Sequence, residues 1–352
     1  MISRTLILCP DRLSLRNVFV STLDCISGET FTFDVKKALG TSRLRFNTQL
    51  ANIPYKFRKY WERKFLKLAN RFIYEEFKKV EPEIVLIYNS EYLLPETCFE
   101  FKKRSQLIFF LGDSPLYTHQ NYFFLKCLSY ADLILVPDSF WIQQLNVIGL
   151  KRTVFFFPGI DLKSYNTIIQ EKTERNFKNL DILYVGTSYK NSWGYKKALL
   201  MSHFIDFNFR IFGNSAWEKW FPLFPELEKV FTKTGYINAN KLNEMFNKSK
   251  IIPVDGNPAI INGVHLRLLE SLGSGSFPLI EYRVDLENEV FSDCDFRIPF
   301  INDYSKATDI AKYWLAHDLE RIQLAGEMRS HVIKRYSPEN NASIIMRRLK
   351  VS

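Results

Sequence analysis

The sequence lacks any apolar run that could cross a bilayer. Its longest, such as Leu107 to Leu111 and Val154 to Phe157, fall far short of the ~20 residues that a spanning helix needs. It also lacks a C-x-x-C pair. Cys9, Cys25, Cys98, Cys127 and Cys294 stand far apart and are odd in number, so a disulfide framework and a zinc knuckle are both excluded and buried, inert thiols are expected. Glycine and proline, 14 each in 352 residues, are too few for a low-complexity or collagen-like chain. The first residues, Met1 to Leu8, have one charge and a very short apolar stretch before Cys9-Pro10-Asp11, and read as a first strand rather than a signal peptide. A cytoplasmic protein is expected. Acidic charge is the scarcer sign, with 38 Asp+Glu against 48 Lys+Arg and a net charge of +10. Such a balance suits nucleic acid, an anionic membrane or a phosphorylated small molecule; a compositional bias towards Phe, Lys, Asn and Ile would produce it as well.

What is present is an ordinary globular composition, 46% apolar and 24% charged, on a chain long enough for two cores. Short apolar runs alternate with helical segments, the pattern of parallel α/β domains. The runs are Thr5 to Cys9, Thr30 to Val35, Glu83 to Tyr88, Gln106 to Leu111, Asp132 to Pro137 and Thr153 to Phe157, then Leu180 to Val185, Phe207 to Phe212, Lys250 to Val254, Ser276 to Glu281 and Phe296 to Phe300. The polar stretch between the two sets predicts a first Rossmann-like domain over 1–160, a linker over 161–179 and a second domain over 180–336. Ser337-Pro338-Glu339 starts a last helix over 337–352, with Ser337 as cap, and this helix is expected to cross back to the first domain.

The segment Asn262-Gly263-Val264-His265-Leu266-Arg267-Leu268-Leu269-Glu270 predicts a helix that opens near Gly263, closes at Gly273 and Gly275 and leads into a buried strand. A helix start offers free N–H groups and a positive dipole to a phosphate. Arg267 and Glu270 share one helix face. The Arg fork suits a diphosphate and the carboxylate suits a ribose diol; an i,i+3 salt bridge on a surface helix is the plainer alternative.

This segment resembles the donor-binding signature of GT-B glycosyltransferases, of the retaining family 4 and above all of the CgeB-like, group-1-like branch. Asp181 to Ser188 resembles that family's opening strand and glycine loop, and Ile211 to Trp217 its glycine-to-tryptophan segment. Gly235-Tyr236-Ile237, Lys241 to Phe246 and Lys250 to Val254 follow in the family's order, so the likeness spans roughly Ala131 to the C-terminus. The resemblance implies an α/β fold of two Rossmann-like domains facing a central cleft (GT-B). It implies a metal-independent glycosyltransferase that uses a nucleoside-diphosphate sugar as substrate and has no cofactor. Glu270 would hold the ribose and Arg267 would lie near the diphosphate. Gly186, Thr187, Ser188, Gly213, Asn214, Asn262, Gly263 and His265 would complete the donor site. The family's Arg after the first loop is missing, and Lys190, Lys196 or Lys197 are the nearby cations. Asn262 stands where family 4 has its first glutamate, which removes that family's support for retention at the anomeric carbon.

Leu111-Gly112-Asp113-Ser114-Pro115 resembles the Asp-Ser-Pro turn of the same branch. Asp113 is either the base that deprotonates an acceptor hydroxyl, which would favour inversion, or the side chain of an Asx turn; His119 is the alternative base. Asp161, in Pro158-Gly159-Ile160-Asp161, reads as hinge structure. Asp293-Cys294-Asp295 reads as a loop, and no metal is expected. Pro54 to Val80 has Phe57, Trp61, Phe65, Leu68, Phe72 and Phe77 at helical spacing, with nine Lys and Arg against three Glu, or +6 of the total charge. This helix packs on the first sheet, lies on an anionic membrane as a peripheral anchor, or holds nucleic acid. The expected acceptor is a bacterial or phage surface glycan, a lipid-linked sugar or a protein. Modified DNA is the alternative acceptor, and a non-catalytic nucleotide-sugar or nucleic-acid binder is the alternative function.

Overall fold

A computed structural model describes residues 2–50, 52–89, 92–117, 122–168 and 179–349. Its contacts divide the chain into unit 1, Met1–Gly159 with Tyr336–Ser352, and unit 2, Ile160–Arg335. Unit 1 holds strands β1 (Ile2–Leu8), β2 (Ser27–Phe33), β3 (Ile84–Tyr88), β4 (Gln106–Phe110), β5 (Leu133–Val136) and β6 (Thr153–Phe155), in the parallel order β2-β1-β3-β4-β5-β6. Unit 2 holds β7 (Leu180–Val185), β8 (Phe209–Gly213), β9 (Phe231–Lys233), β10 (Ser249–Val254), β11 (Phe277–Glu281) and β12 (Phe300–Ile301), in the parallel order β12-β11-β10-β7-β8-β9. The inner strands are continuous aliphatic and aromatic runs that are buried on both faces, as in Leu107–Phe110 and Leu133–Val136, which is what helices on both sides of a parallel sheet require.

The α/β reading and the two Rossmann-like sheets are therefore observed. The strand at Phe231–Lys233 escapes prediction because it is short and its Thr232 and Lys233 are exposed. The run Phe296 to Phe300 yields strand only at Phe300–Ile301, since Arg297 is exposed and Pro299 has no N–H for the ladder. The expected linker is also shorter at its start. Asp161 Oδ1 accepts from the N–H groups of Lys163 and Ser164 at 3.2 and 3.3 Å, and Tyr165 is buried with Leu183, Val185, Phe246 and Ile252 in the core of unit 2. Residues 169–178 lie outside the described residues.

The last helix, Pro338–Leu349, belongs to unit 1 and packs on helix Leu15–Asp24. Ser337 caps it, its Oγ accepting from Asn340 N–H at 3.2 Å. Just before it, the Tyr336 ring meets Phe157 edge-on at 5.3 Å. Helix Tyr55–Val80 buries Phe65, Leu66, Ala69, Ile73, Phe77 and Val80; Leu68 and Phe72 are only half-buried, so the buried stripe is rotated from the predicted one. Cys9, Cys98 and Cys127 are buried, and burial pushes the Cys9 thiol up to about 12. Cys25 is exposed and Cys294 half-buried, contrary to the expectation for all five, because Cys25 caps the end of helix Leu15–Asp24 and Cys294 sits in the loop before Phe300.

A Cβ added at Gly159 would lie 2.2 Å from the Tyr336 carbonyl oxygen, whereas one at Gly326, inside helix Asp318–Arg335, meets nothing within 4 Å. Gly159→Ala is expected to destabilise by about 2 kcal/mol or more through backbone displacement. Gly326→Ala is expected to stabilise by roughly 0.5–1 kcal/mol. Thermal unfolding of the two variants checks the opposite signs.

Candidate active site

In unit 2 the strand order reverses between β7 and β10. Right-handed crossovers then carry the chain away on opposite faces and leave a crevice at the carboxyl ends of these two strands. A polar cavity of about 130 Å³ lies there. Tyr184, Val185, Gly186, Thr187 and Tyr189 line it from the end of β7 and the loop beyond, Asp255 and Asn257 from the end of β10, Lys197 from helix Ser192–Ser202, and His265 and Arg267 from the start of helix Arg267–Gly273.

A closed hydrogen-bond triangle forms one wall. Lys197 Nζ donates to Asp255 Oδ2 at 2.6 Å and to the Tyr184 hydroxyl at 2.9 Å, and that hydroxyl donates to Asp255 Oδ1 at 2.8 Å. Lys197 is only 4% exposed, so a partner for its charge is obligatory. Burial, reinforced by Asp255, pushes the Tyr184 phenol well above its ordinary range, so it stays protonated and donates. Arg267, which also lines the cavity, forms an ion pair through its Nη1 with Glu270 Oε2 at 3.1 Å. Both atoms are buried and neither has an aligned hydrogen bond. Glu270 Oε1 accepts from the Tyr165 hydroxyl at 3.2 Å, and the Arg267 guanidinium lies over the Phe246 ring at 5.6 Å.

His265 Nδ1 accepts from Arg267 N–H at 3.0 Å, which assigns the proton to Nε2. Burial first, then the charges of Arg267 and Lys197, lower its pKa well below the ordinary 6.5. A neutral imidazole with a free N–H donor therefore stands beside two cations. The same Nδ1 contact starts the helix at Arg267, four residues after the predicted Gly263.

Of the predicted donor residues, Gly186, Thr187, His265 and Arg267 line this cavity, and Glu270 touches it through Arg267. Asn214 clamps the loop from outside, its Oδ1 accepting from Ser188 N–H at 2.9 Å. Gly213 is required by the Trp217 indole, which would lie 2.4 Å from an added Cβ and which donates to the Gly186 carbonyl at 2.9 Å. Lys196 turns away to pair with Glu281 and cover the Trp193 ring, and Lys190 is exposed. Asn262 and Gly263 do not line the cavity; the Asn262 carbonyl accepts from Asp285 N–H at 3.0 Å. Sequence reasoning missed Asp255 and Tyr184 altogether. The Lys-Lys pair on one helix was the only signal for Lys197.

In unit 1, Asp113 follows β4 and is exposed. Its Oδ2 accepts from Asn89 Nδ2 at 2.6 Å, and Asn89 Oδ1 accepts from Gly112 N–H at 2.8 Å. Asn89 is buried with a φ of 53°, a left-handed conformation that Asn tolerates better than most residues. The other candidate base, His119, lies outside the described residues. Among the described residues no group of three or more His, Cys, Asp or Glu side chains is placed to hold a metal ion, and Asp293 of the D-x-D pairs with Arg335.

Residues 196–347 match the family described as Glycosyl transferase-like. This stretch is similar to that family. It contains Lys197, Asp255, His265, Arg267 and Glu270, and no curated protein matches the chain. Solved structures share the fold over nearly the whole chain. Sucrose-phosphate synthase from Thermosynechococcus elongatus has a TM-score of 0.65 at 11% identity, over 99% of this chain and 98% of that one. Anabaena HepE in complex with UDP and glucose has 0.61 at 10%, over 99% and 100%. T4 phage BGT in complex with UDP and Mn2+ has 0.57 at 12%, over 99% of each. At these identities the likeness establishes the two-unit GT-B fold.

Removing one partner of the buried triangle strands the other. Asp255→Ala is expected to cost about 3 kcal/mol, and the double variant Asp255→Ala/Lys197→Met to recover much of it, as read by thermal unfolding. The unfolded chain takes up a proton at His265 below about pH 6.5, and the folded state resists it. Stability present above pH 6.5 is therefore expected to decline as pH falls through that value, with a shallower decline in His265→Gln; melting curves between pH 8 and 5 check this.

Proposed function

We propose that the chain is a glycosyltransferase that binds a nucleoside-diphosphate sugar in the unit 2 cavity and passes the sugar to an acceptor hydroxyl. The observation that carries this reading is that Lys197 and Arg267 both line a polar cavity at the strand-order reversal. Two cations there neutralise the charge that develops on a departing diphosphate, which is worth most in a site poor in water. Glu270 accepts from the ribose hydroxyls, and the neutral His265 donates its Nε2–H to an oxygen of the donor. Bound UDP in Anabaena HepE and T4 phage BGT supports uracil as the base.

The metal-free part of the proposal rests on these cations doing what a divalent ion does elsewhere. On the acceptor side, Asp113 serves as the base, held in place by Asn89. The acceptor is a glycan, a lipid-linked sugar or a protein, and the CgeB-like branch is the family placement that this reading favours.

The test is a thermal-shift screen of nucleoside diphosphates and their sugars. A ligand at about 100 times its Kd stabilises by roughly 2.7 kcal/mol, so UDP or a UDP-sugar is expected to raise the melting temperature by several degrees with EDTA present. Arg267→Ala is expected to weaken binding about 10- to 100-fold, the worth of a charge-assisted contact, and Glu270→Ala to weaken it less. A flat response to every nucleotide, or binding unchanged in both variants, would refute the donor site. Binding that appears only when Mn2+ is added would refute the metal-free part.

A further inference from the structure

The helix Tyr55–Val80 changes character along its length. From Phe65 onward its apolar side chains are buried, but Phe57, Tyr60 and Trp61 in its first turns are 68%, 57% and 48% exposed. They are not scattered singly. Phe46, from the adjacent helix Thr41–Leu50, and Ile53, from the turn between the helices, are exposed as well. The Phe46 and Trp61 rings meet edge-on at 6.3 Å, and Tyr60 meets Trp61 at 5.5 Å. Around this cluster, residues 41–67 contain Arg43, Arg45, Lys56, Arg58, Lys59, Arg63, Lys64 and Lys67 against Glu62 alone, eight minus one or +7. Arg58 pairs with Glu62 at 3.7 Å. Lys56, Lys59, Arg63 and Lys64 are exposed, with Lys64 Nζ 4.5 Å from the Tyr60 ring centroid and 5.4 Å from that of Trp61.

We propose that this hairpin end, formed by residues 46–50 and 52–64, is a docking surface for an anionic lipid bilayer. The partner must satisfy two demands at once, a field of negative charge and an apolar phase at the same depth. Lipid phosphates over an acyl boundary meet both, and Trp and Tyr rings settle at that level. A nucleic-acid duplex meets the charge but leaves Phe57, Ile53 and Phe46 in water. A second copy of the chain would bring +7 against +7. The proposal is independent of the donor reading, because every residue in it belongs to unit 1.

The test is co-sedimentation of the full chain with vesicles of phosphatidylglycerol and phosphatidylcholine, beside pure phosphatidylcholine and a fluorescent oligonucleotide. Binding is expected only to the anionic vesicles and is expected to weaken as salt rises. Each lost cation is expected to lower partitioning about five-fold, so the Lys56→Gln/Lys59→Gln/Arg63→Gln/Lys64→Gln variant falls on the order of several hundred-fold. Phe57→Ser/Trp61→Ser keeps the charge and is expected to lose about ten-fold or more, with the residual binding abolished by salt. Both variants are expected to melt as the parent does and to keep its response to nucleotides. Absent or equal binding to the two vesicle types, variants that bind as the parent does, or tight oligonucleotide binding without vesicle binding would each overturn the proposal.

Discussion

The reversal of strand order beside β7 is the constraint on which the rest of unit 2 depends. In a parallel sheet every crossover is right-handed, so the helices that follow β7 and β10 must leave on opposite faces. Their departure opens the crevice, and the backbone there is the polar end of two buried strands. A chain that folds this way acquires a hole at a fixed place before any side chain is chosen. What the side chains decide is whether that hole is apolar filler or an anion site. Unit 1 has its own reversal between β1 and β3, and the small cavity there is lined mostly by apolar and aromatic side chains, among them Leu8, Val35, Ile73, Ile87, Tyr92 and Leu93. The same topology thus leaves one unit with an apolar pocket and the other with a charged one.

In unit 2 the charge is held by partnership. A lysine buried beside the sheet survives only with Asp255 and Tyr184 closing a ring around it, and that arrangement costs stability relative to a hydrophobic substitute. Its retention is understandable if Lys197 is presented to a ligand. Arg267 and Glu270 follow the same logic, since a pair whose facing atoms lack aligned hydrogen bonds keeps directional capacity for something else.

Much of this was legible in the residues. The runs that become β7, β10 and β11 are largely apolar, and the helix and strand after His265 follow from Gly273 and the run behind it. Choosing among the lysines was not possible. Lys196 and Lys197 are adjacent, but successive residues on a helix point about 100° apart, so one turns towards Glu281 and the other into the cavity. Asp255 was invisible because an isolated Asp after a strand has no pattern, and Asn89 for the same reason. The basic helix divided where its periodicity did not, because an amphipathic stripe records which residues share a face and does not say where the sheet beneath them ends.

Hydrogen exchange with and without UDP-glucose tests the central claim most directly, because it reports where on the chain the ligand acts. The account predicts slower exchange in three separate segments of unit 2, around Tyr184 to Tyr189, Asp255 to Asn257 and His265 to Glu270, and little change in β1 to β6. Protection confined to unit 1, or absent from all three segments at saturating ligand, would contradict it.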